Sequence, residues 1–319
     1  MMVNSILLSL LTLAQTTVSS AQTFIPAPGN FPAKGDGDFA GGIFSISLSE
    51  LPKYAGAGGT GPEAPTSPGP KTSGSGPYPA VMTTDSTLPG HTIFAPRTPP
   101  AGNLSLPFIA WGNGACMLNA GAYERLLVEI ASYGYVIAAD GNPTSSGSTS
   151  QQSKVQDMRD SLDWAFSGKA NKYGNIDLTK VTTAGHSCGG LEAMSTAYHD
   201  DRVKRIIMFN IAIFQDDRRY LLQEIKVPVA YLIGGSKDMG YSTSAKDFAL
   251  LNKGLPKLRA NLDTGHGGTF SATNGGKQGK AAVAYLEWQW RDNRTAKDYI
   301  LNGGLTKDKW LSVEHANWS

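Results

Sequence analysis

The chain of 319 residues has no marked excess of either charge and no long apolar run. Its 28 Lys and Arg residues against 26 Asp and Glu residues leave a formal net charge of +2. Because no dense basic run is present, nucleic acid is not expected as a partner. The most apolar N-terminal stretch, residues 6–14, is shorter than the roughly twenty residues of a membrane-spanning helix, so no stable membrane anchor is expected.

The same N-terminal stretch has the pattern of a cleaved secretory signal. Its apolar residues lead to the small residues Ser19, Ser20 and Ala21, which suit signal-peptidase cleavage, although the preceding residues include no Lys or Arg. We therefore expect residues 1–21 to be a signal peptide and the protein to be secreted, with a membrane anchor as the alternative. In a secreted protein, asparagines in the pattern Asn-X-Ser/Thr are candidate N-glycosylation sites. The candidates are Asn103, Asn293 and, less favourably, Asn317.

Residues 22–76 are dominated by Gly, Pro, Ser and Thr. Such a composition offers little apolar surface to offset the entropy lost on ordering. The sequence predicts an exposed, irregular arm there, with one short strand at residues 43–48. Residues 77–319 then form a single catalytic domain.

Within that domain, short apolar runs alternate with stretches of helical periodicity. Buried strands are predicted at residues 106–114, 135–140, 181–185, 205–214, 229–235 and 258–265, with helices between them. This alternation predicts an α/β fold with a mostly parallel central sheet and helices on both faces. Two runs joined by Pro89-Gly90 predict an antiparallel pair of strands at the edge.

The stretch "GHSCGG" places Ser187 between a β-branched strand and a helix. A serine at such a strand–turn–helix junction is held in a strained conformation with its hydroxyl above the sheet edge. Side chains at Gly185 and Gly189 would collide with the neighbouring strand and helix. The pattern predicts a nucleophile, and a purely structural turn is the alternative.

A nucleophilic serine needs a base and an acid behind that base. Of the five histidines, His266 lies in a glycine-rich loop directly after the last predicted parallel strand, where α/β sheets place their chemistry. In the order serine, acid, histidine, Asp238 follows the end of a predicted strand. The competing acids fit less well, because they lie in a charged run, inside a helix or too close to the histidine: Asp216, Asp217, Asp247 and Asp263.

Two main-chain N–H groups should receive the negative charge that develops on the substrate. One is expected from Cys188, directly after the serine, and the other from Asn113 in the loop after the first buried strand, with Gly114 as an alternative. If these loops meet, Cys116 and Cys188 come close enough for a disulfide. Two separate buried thiols are the other possibility.

The motifs "GHSCGG", "YLIGGSKD" and "GHGGT", in this order, resemble the α/β-hydrolase superfamily. The resemblance is closest to its dienelactone-hydrolase-like and secreted polyesterase (cutinase-like PET hydrolase) branch and covers roughly residues 77–292. It implies an α/β-hydrolase fold without a large cap domain, and a catalytic triad of Ser187, Asp238 and His266 that uses no metal or cofactor. The chain departs from the polyesterases at Cys188, where they usually carry a bulky apolar residue.

The resulting hypothesis is a monomeric, secreted serine esterase of the lipase and cutinase type. It would act on small or polymeric carboxylic esters through an acyl-enzyme intermediate. The short segment between residues 209 and 229 leaves no room for a lid, so an open cleft is expected. An acyltransferase or peptidase with the same triad and a non-catalytic binding protein on the same fold are the alternatives.

Overall fold

The computed structural model describes residues 31–47, 49–55, 68–102, 104–144 and 151–318, and all statements below concern these residues. The expected signal peptide and Asn103 lie outside them. The core is one sheet of nine strands. In chain order the strands are β1 (Ala80–Thr84), β2 (His91–Pro96), β3 (Ser105–Gly112), β4 (Val136–Asp140), β5 (Asn175–His186), β6 (Arg205–Phe209), β7 (Val229–Ile233), β8 (Lys257–Asn261) and β9 (Ser312–Ala316).

The sheet is parallel at its centre and antiparallel at both edges. Its spatial order is β1-β2-β4-β3-β5-β6-β7-β8-β9. The strands from β4 to β8 pair in parallel, whereas β1, β2 and β9 pair antiparallel with their neighbours. The predicted mostly parallel sheet with an antiparallel initial edge is therefore confirmed.

Helices cover both faces of this sheet. Along β3 the alternation is direct: Phe108 and Ala110 belong to one buried apolar cluster, and Ile109 and Trp111 to the other. A strand buried on both faces reads as a continuous apolar run, which is why periodicity located it. The helices are α1 (Pro52–Ala55), α2 (Glu124–Ala131), α3 (Val155–Phe166), α4 (Cys188–Ala197), α5 (Gly240–Leu250), α6 (Gly276–Arg291), α7 (Arg294–Leu301) and α8 (Gly304–Lys307).

The arm differs from its prediction. In place of a strand at residues 43–48, a 3-10 turn forms over Gly42–Phe44. The prediction that this part of the arm is exposed was wrong. Ile43, Phe44 and Ile46 are buried in the same apolar cluster as residues of α4. Three apolar side chains within four residues supply the surface that the composition as a whole lacks.

The C-terminal end also holds elements that the sequence did not predict. β9 pairs with β8 after α7 and α8, and its residues are half-buried or exposed. The predicted strand at 205–214 ends at Phe209, and the chain continues without regular structure to a 3-10 helix at Asp216–Glu224. Among the described residues, none of the helices combines the length and apolarity needed to cross a bilayer.

Candidate active site

Ser187 lies at the sharp turn between β5 and α4. Its backbone has φ 53° and ψ −126°, a strained conformation for a residue with a side chain. A Cβ on Gly189 would lie 2.0 Å from the carbonyl carbon of Gly112, and one on Gly185 would lie 2.2 Å from the oxygen of Gly189. The two glycines of the motif are thus required for the close approach of α4 to β3 and β5, as the sequence predicted.

The structure brings Ser187, His266 and Asp238 into one hydrogen-bonded line. His266 Nε2 lies 2.9 Å from Ser187 Oγ, and His266 Nδ1 lies 2.8 Å from Asp238 Oδ1. An ionised carboxylate only accepts hydrogen bonds, so Nδ1 carries the proton and Nε2 accepts from the serine hydroxyl. This is the tautomer in which the imidazole can remove the serine proton.

Asp238 is held in place by the turn that follows β7. Its carboxylate is buried and accepts the main-chain N–H groups of Gly234 at 2.8 Å and Gly240 at 3.2 Å. Hydrogen bonds from main-chain amides fix the orientation of the carboxylate toward His266. Asp247 is instead bound to Arg219 at 2.8 Å.

Asn113, whose main-chain N–H was the expected second donor, does not line the cavity that Ser187 and Cys188 line. Its buried side-chain amide donates to the carbonyl oxygens of Met117 and Asp140, and its own carbonyl accepts from Gly189 N–H. The alternative, Gly114, donates its N–H to the Tyr123 hydroxyl at 2.8 Å.

Ala115 is the next residue of this loop, and it lines the same cavity as Ser187 and Cys188. Its φ is 52°, a left-handed conformation rare for alanine. Within the described ranges, no hydrogen-bond acceptor is found for the main-chain N–H of either Ala115 or Cys188. Ala115 and Cys188 thus each carry a main-chain N–H without an acceptor and line the cavity of the serine.

Cys116 and Cys188 form a disulfide across a sequence separation of 72 residues. The bond joins the loop after β3 to the first residue of α4. The expected pairing is therefore present, and the alternative of two separate thiols does not apply.

His186, which precedes the serine, connects three loops of the site. Its Nδ1 accepts from the Tyr123 hydroxyl at 2.7 Å, and its Nε2 donates to the carbonyl oxygen of His266 at 2.9 Å. Tyr123 in turn accepts the N–H of Gly114. Burial, reinforced by the neighbouring His266, lowers the pKa of His186 to about 3, so the ring stays neutral. This network could not be predicted, since nothing in the sequence marks Tyr123 as the partner of His186.

A cavity of about 310 Å³ opens onto the serine. Its apolar lining includes Leu191, Ile211, Phe214 and Met239, together with Ile46 and Leu51 of the N-terminal arm. Within the described residues the segment after β6 forms no large cap, and the arm adds residues to the cavity lining that the sequence did not predict. No group of three or more His, Cys, Asp or Glu side chains suited to a metal is found within the described residues.

Two of the glycosylation candidates can be placed. Asn293 is exposed at the start of α7, where its side-chain oxygen accepts from Ala296 N–H at 3.1 Å. Asn317 donates its side-chain amide to the carbonyl oxygens of Lys253 and Leu255. A glycan on Asn317 would replace these hydrogen bonds, which makes it the less favourable acceptor.

A mostly parallel sheet whose fifth strand ends in a glycine-flanked serine turn defines an α/β-hydrolase, and the chain has the fold of that superfamily, as predicted. Residues 82–214 match the family model described as Chlorophyllase, which is an esterase family of the α/β-hydrolase type. The match includes Ser187 and the loop after β3, and ends before Asp238 and His266. It indicates an ester hydrolase in general terms. No curated protein matches the chain.

Proposed function

We propose that the chain is a serine hydrolase that cleaves carboxylic esters through Ser187, His266 and Asp238. The observation that carries this proposal is the position of His266, whose two ring nitrogens lie within 3 Å of the serine hydroxyl and the Asp238 carboxylate. His266 removes the proton of Ser187 as the oxygen attacks the ester carbonyl, and the Asp238 carboxylate stabilises the imidazolium that forms. The imidazolium then protonates the departing alcohol.

The second half of the reaction repeats these steps with water. Water enters beside the acyl-enzyme, and His266 accepts one of its protons as the oxygen attacks the acyl carbon. The tetrahedral intermediate then collapses to the free acid, and His266 returns the proton to the departing Ser187 Oγ. In both halves the oxyanion is bound by two main-chain N–H groups. We assign these to Cys188 and Ala115, in place of Asn113, because both amides lack an acceptor and both residues line the serine cavity.

We also propose that the protein is secreted. The Cys116–Cys188 disulfide supports this, because disulfides persist in oxidising compartments and are rare in the cytosol. Protein recovered from the culture medium should lack residues 1–21, and mass spectrometry of its N-terminus checks this. A medium-derived protein that retains these residues, or none in the medium at all, would contradict the proposal.

The test of the chemistry is hydrolysis of p-nitrophenyl esters by Ser187→Ala. Loss of a triad nucleophile should lower kcat by at least about a thousandfold and leave the fold intact. Ser242→Ala, an exposed serine on α5, is the control and should retain wild-type activity. Wild-type turnover by Ser187→Ala would refute the assignment. The name of the matched family makes chlorophyll a reasonable ester to include beside the synthetic substrates.

A further inference from the structure

The N-terminal arm is bound tightly to α4, the helix that begins at the nucleophile. Ser195 Oγ donates to the carbonyl oxygen of Gly41 at 2.7 Å. The fit at Gly35 leaves no space for a side chain, since a Cβ there would lie 1.7 Å from the carbonyl oxygen of Ser195. Phe44 packs its ring edge against Tyr198, with centroids 6.1 Å apart. The arm is therefore a fixed part of the domain surface beside the serine.

The residues that follow this attachment reach the catalytic cavity. Ile46 is only 6% exposed and lines the cavity together with Ser187 and His266. Leu51, half-buried, lines the same cavity. Tyr54 then stacks on Phe214, another residue of the cavity lining, with ring centroids 4.9 Å apart. The described part of the arm thus borders the cavity and packs on the domain both before Ile46, through Phe44, and after it, through Tyr54.

A second cavity, of about 510 Å³, adjoins the first. Its lining is mixed, with the polar and charged residues Asp36, Asp38, Gln152 and Lys154 beside Phe39 and Val155. Ser45, Ile46 and Cys188 line both cavities. Ile46 is the large apolar side chain among these three shared residues, so it lies between an apolar cavity and a more polar one.

The acyl group is the part of an ester that must occupy the apolar cavity. It stays bound to Ser187 Oγ through both half-reactions, and the apolar cavity is lined by Ser187 itself. The alcohol leaves after the first half-reaction and needs no such enclosure. A compact apolar acyl group fills this space favourably, whereas a long chain would have to displace the arm or enter the polar cavity.

We propose, on the basis of the serine hydrolase function above, that Ile46 and Leu51 of the arm determine acyl specificity by closing the acyl cavity. The preferred substrates are then esters of compact apolar acids. The acyl-chain selectivity of this enzyme resides in a segment that lies outside the region matched by the family model.

The experiment measures kcat/KM for p-nitrophenyl acetate, butyrate, octanoate and dodecanoate. Ile46→Ala enlarges the cavity at the boundary and should raise the octanoate-to-acetate ratio by roughly tenfold, as expected for a change of a few carbons in an apolar pocket. Leu51→Trp places a larger side chain at a half-buried position of the cavity lining, so it should reduce the space for the acyl group and lower the octanoate-to-acetate ratio. Ile46→Val should also raise the ratio, by a smaller factor than Ile46→Ala. It replaces the alanine variant in the test if that variant does not fold.

Ile43→Ala is the matched control, because Ile43 is an equally buried isoleucine of the same arm that does not line the catalytic cavity. It should lose stability and keep the wild-type ratio. Wild-type ratios in folded Ile46→Ala or Ile46→Val together with Leu51→Trp would overturn the proposal, as would an equal shift in Ile43→Ala. Failure of the serine hydrolase function itself is distinguishable, since the wild type would then hydrolyse none of the esters and Ser187→Ala would change nothing.

Discussion

At the scale of single residues, the site depends on a neutral histidine that takes no part in proton transfer. His186 accepts from Tyr123 and donates to the carbonyl oxygen of His266, so it links the loop of the base to the loop after β3. The same carbonyl accepts a second hydrogen bond, from the Asn210 side chain at 2.8 Å. His266 is therefore oriented through its main chain as well as through Asp238.

Removing the Tyr123 hydroxyl should misplace the loop that carries Ala115. In Tyr123→Phe the N–H of Gly114 loses its acceptor and His186 loses its donor. Two hydrogen bonds of about 1 kcal/mol each are lost, and if half of this free energy is lost from the transition state, kcat should fall roughly fivefold while KM changes little. Steady-state kinetics on a p-nitrophenyl ester measure both values. Tyr285→Phe is the control, since within the described part of the chain the buried Tyr285 hydroxyl has no partner, and equal losses in the two variants would refute the positioning role.

The low pKa of His186 predicts acid sensitivity. Between its ordinary pKa of 6.5 and its folded pKa of about 3, the unfolded chain binds a proton that the folded protein does not. The stability from this group is fully present above pH 6.5 and is lost as the pH falls toward 3. From pH 7 to pH 5 the contribution of His186 alone should fall by about 2 kcal/mol. It is measured as the difference in the free energy of unfolding in urea between the wild type and His186→Gln, because His91, whose pKa is raised to about 9, changes stability in the opposite direction.

The comparison with two variants isolates this contribution. His186→Gln should show a smaller loss of stability between pH 7 and pH 5 than the wild type. His315→Gln, at an exposed position on β9, should keep the wild-type pH dependence. Parallel pH profiles for wild type and His186→Gln would contradict the prediction.

The sequence predicts the role of a residue when that role depends on its place after a strand. It does not predict a role that depends on the backbone conformation of a loop. Ser187, Asp238 and His266 each follow the end of a parallel strand, which periodicity can locate, and the structure brings them together. Asn113 and Ala115 differ by two positions in one short loop. We propose Ala115 as the donor partly because the loop turns there through a left-handed residue, and an alanine gives no sign of that conformation in the sequence.

At the scale of elements, the disulfide fixes the distance between the two proposed oxyanion donors. Cys188 supplies one donor itself, and Cys116 is adjacent to Ala115, the other. The carbonyl oxygen of Cys116 also accepts the N–H of Ser153 at 2.8 Å, which attaches the loop to the chain before α3. The disulfide should therefore hold the spacing of the two proposed donors, in addition to lowering the entropy of the unfolded chain.

Cys116→Ala/Cys188→Ala should lose both stability and activity. Closure of a loop of this length typically stabilises a fold by about 2–4 kcal/mol, and urea unfolding measures the loss. Because the donors are no longer held at a fixed spacing, kcat should fall as well, by roughly tenfold if one oxyanion contact is weakened. Reductant should lower the activity of the wild type toward that of the double variant and leave the double variant unaffected. Full activity of a reduced wild type would exclude a role in catalysis.

Element prediction succeeded where burial imposes a pattern. β3, β4 and β6 are buried on both faces and appear as continuous apolar runs. β9 escaped prediction because its sequence, Ser-Val-Glu-His-Ala, has no such pattern, and its position comes from pairing with β8. Tertiary pairing of this kind cannot be read from local sequence.

At the scale of the whole molecule, the arm and the α/β domain form one body. A Gly- and Pro-rich composition predicted an exposed segment, yet Ile43, Phe44 and Ile46 belong to the larger apolar cluster of the domain. The ion pair between Asp36 and Arg159 adds a contact to α3. The prediction from average composition was wrong here, because a few apolar residues are enough to anchor a segment that otherwise contains few of them.

Phe44→Ala tests whether the arm is part of the cooperative fold. Phe44 is 1% exposed and packs on Tyr198, so its truncation should lower the free energy of unfolding by about 3–5 kcal/mol. Phe39→Ala is the matched control in the same arm, since Phe39 is 37% exposed and its loss should change stability by less than about 0.5 kcal/mol. Urea unfolding followed by tryptophan fluorescence and by circular dichroism should show a single coincident transition in each case. If Phe44→Ala unfolded at the same urea concentration as Phe39→Ala, the arm would not share in the stability of the domain, and the wall that it gives to the acyl cavity would be free to move.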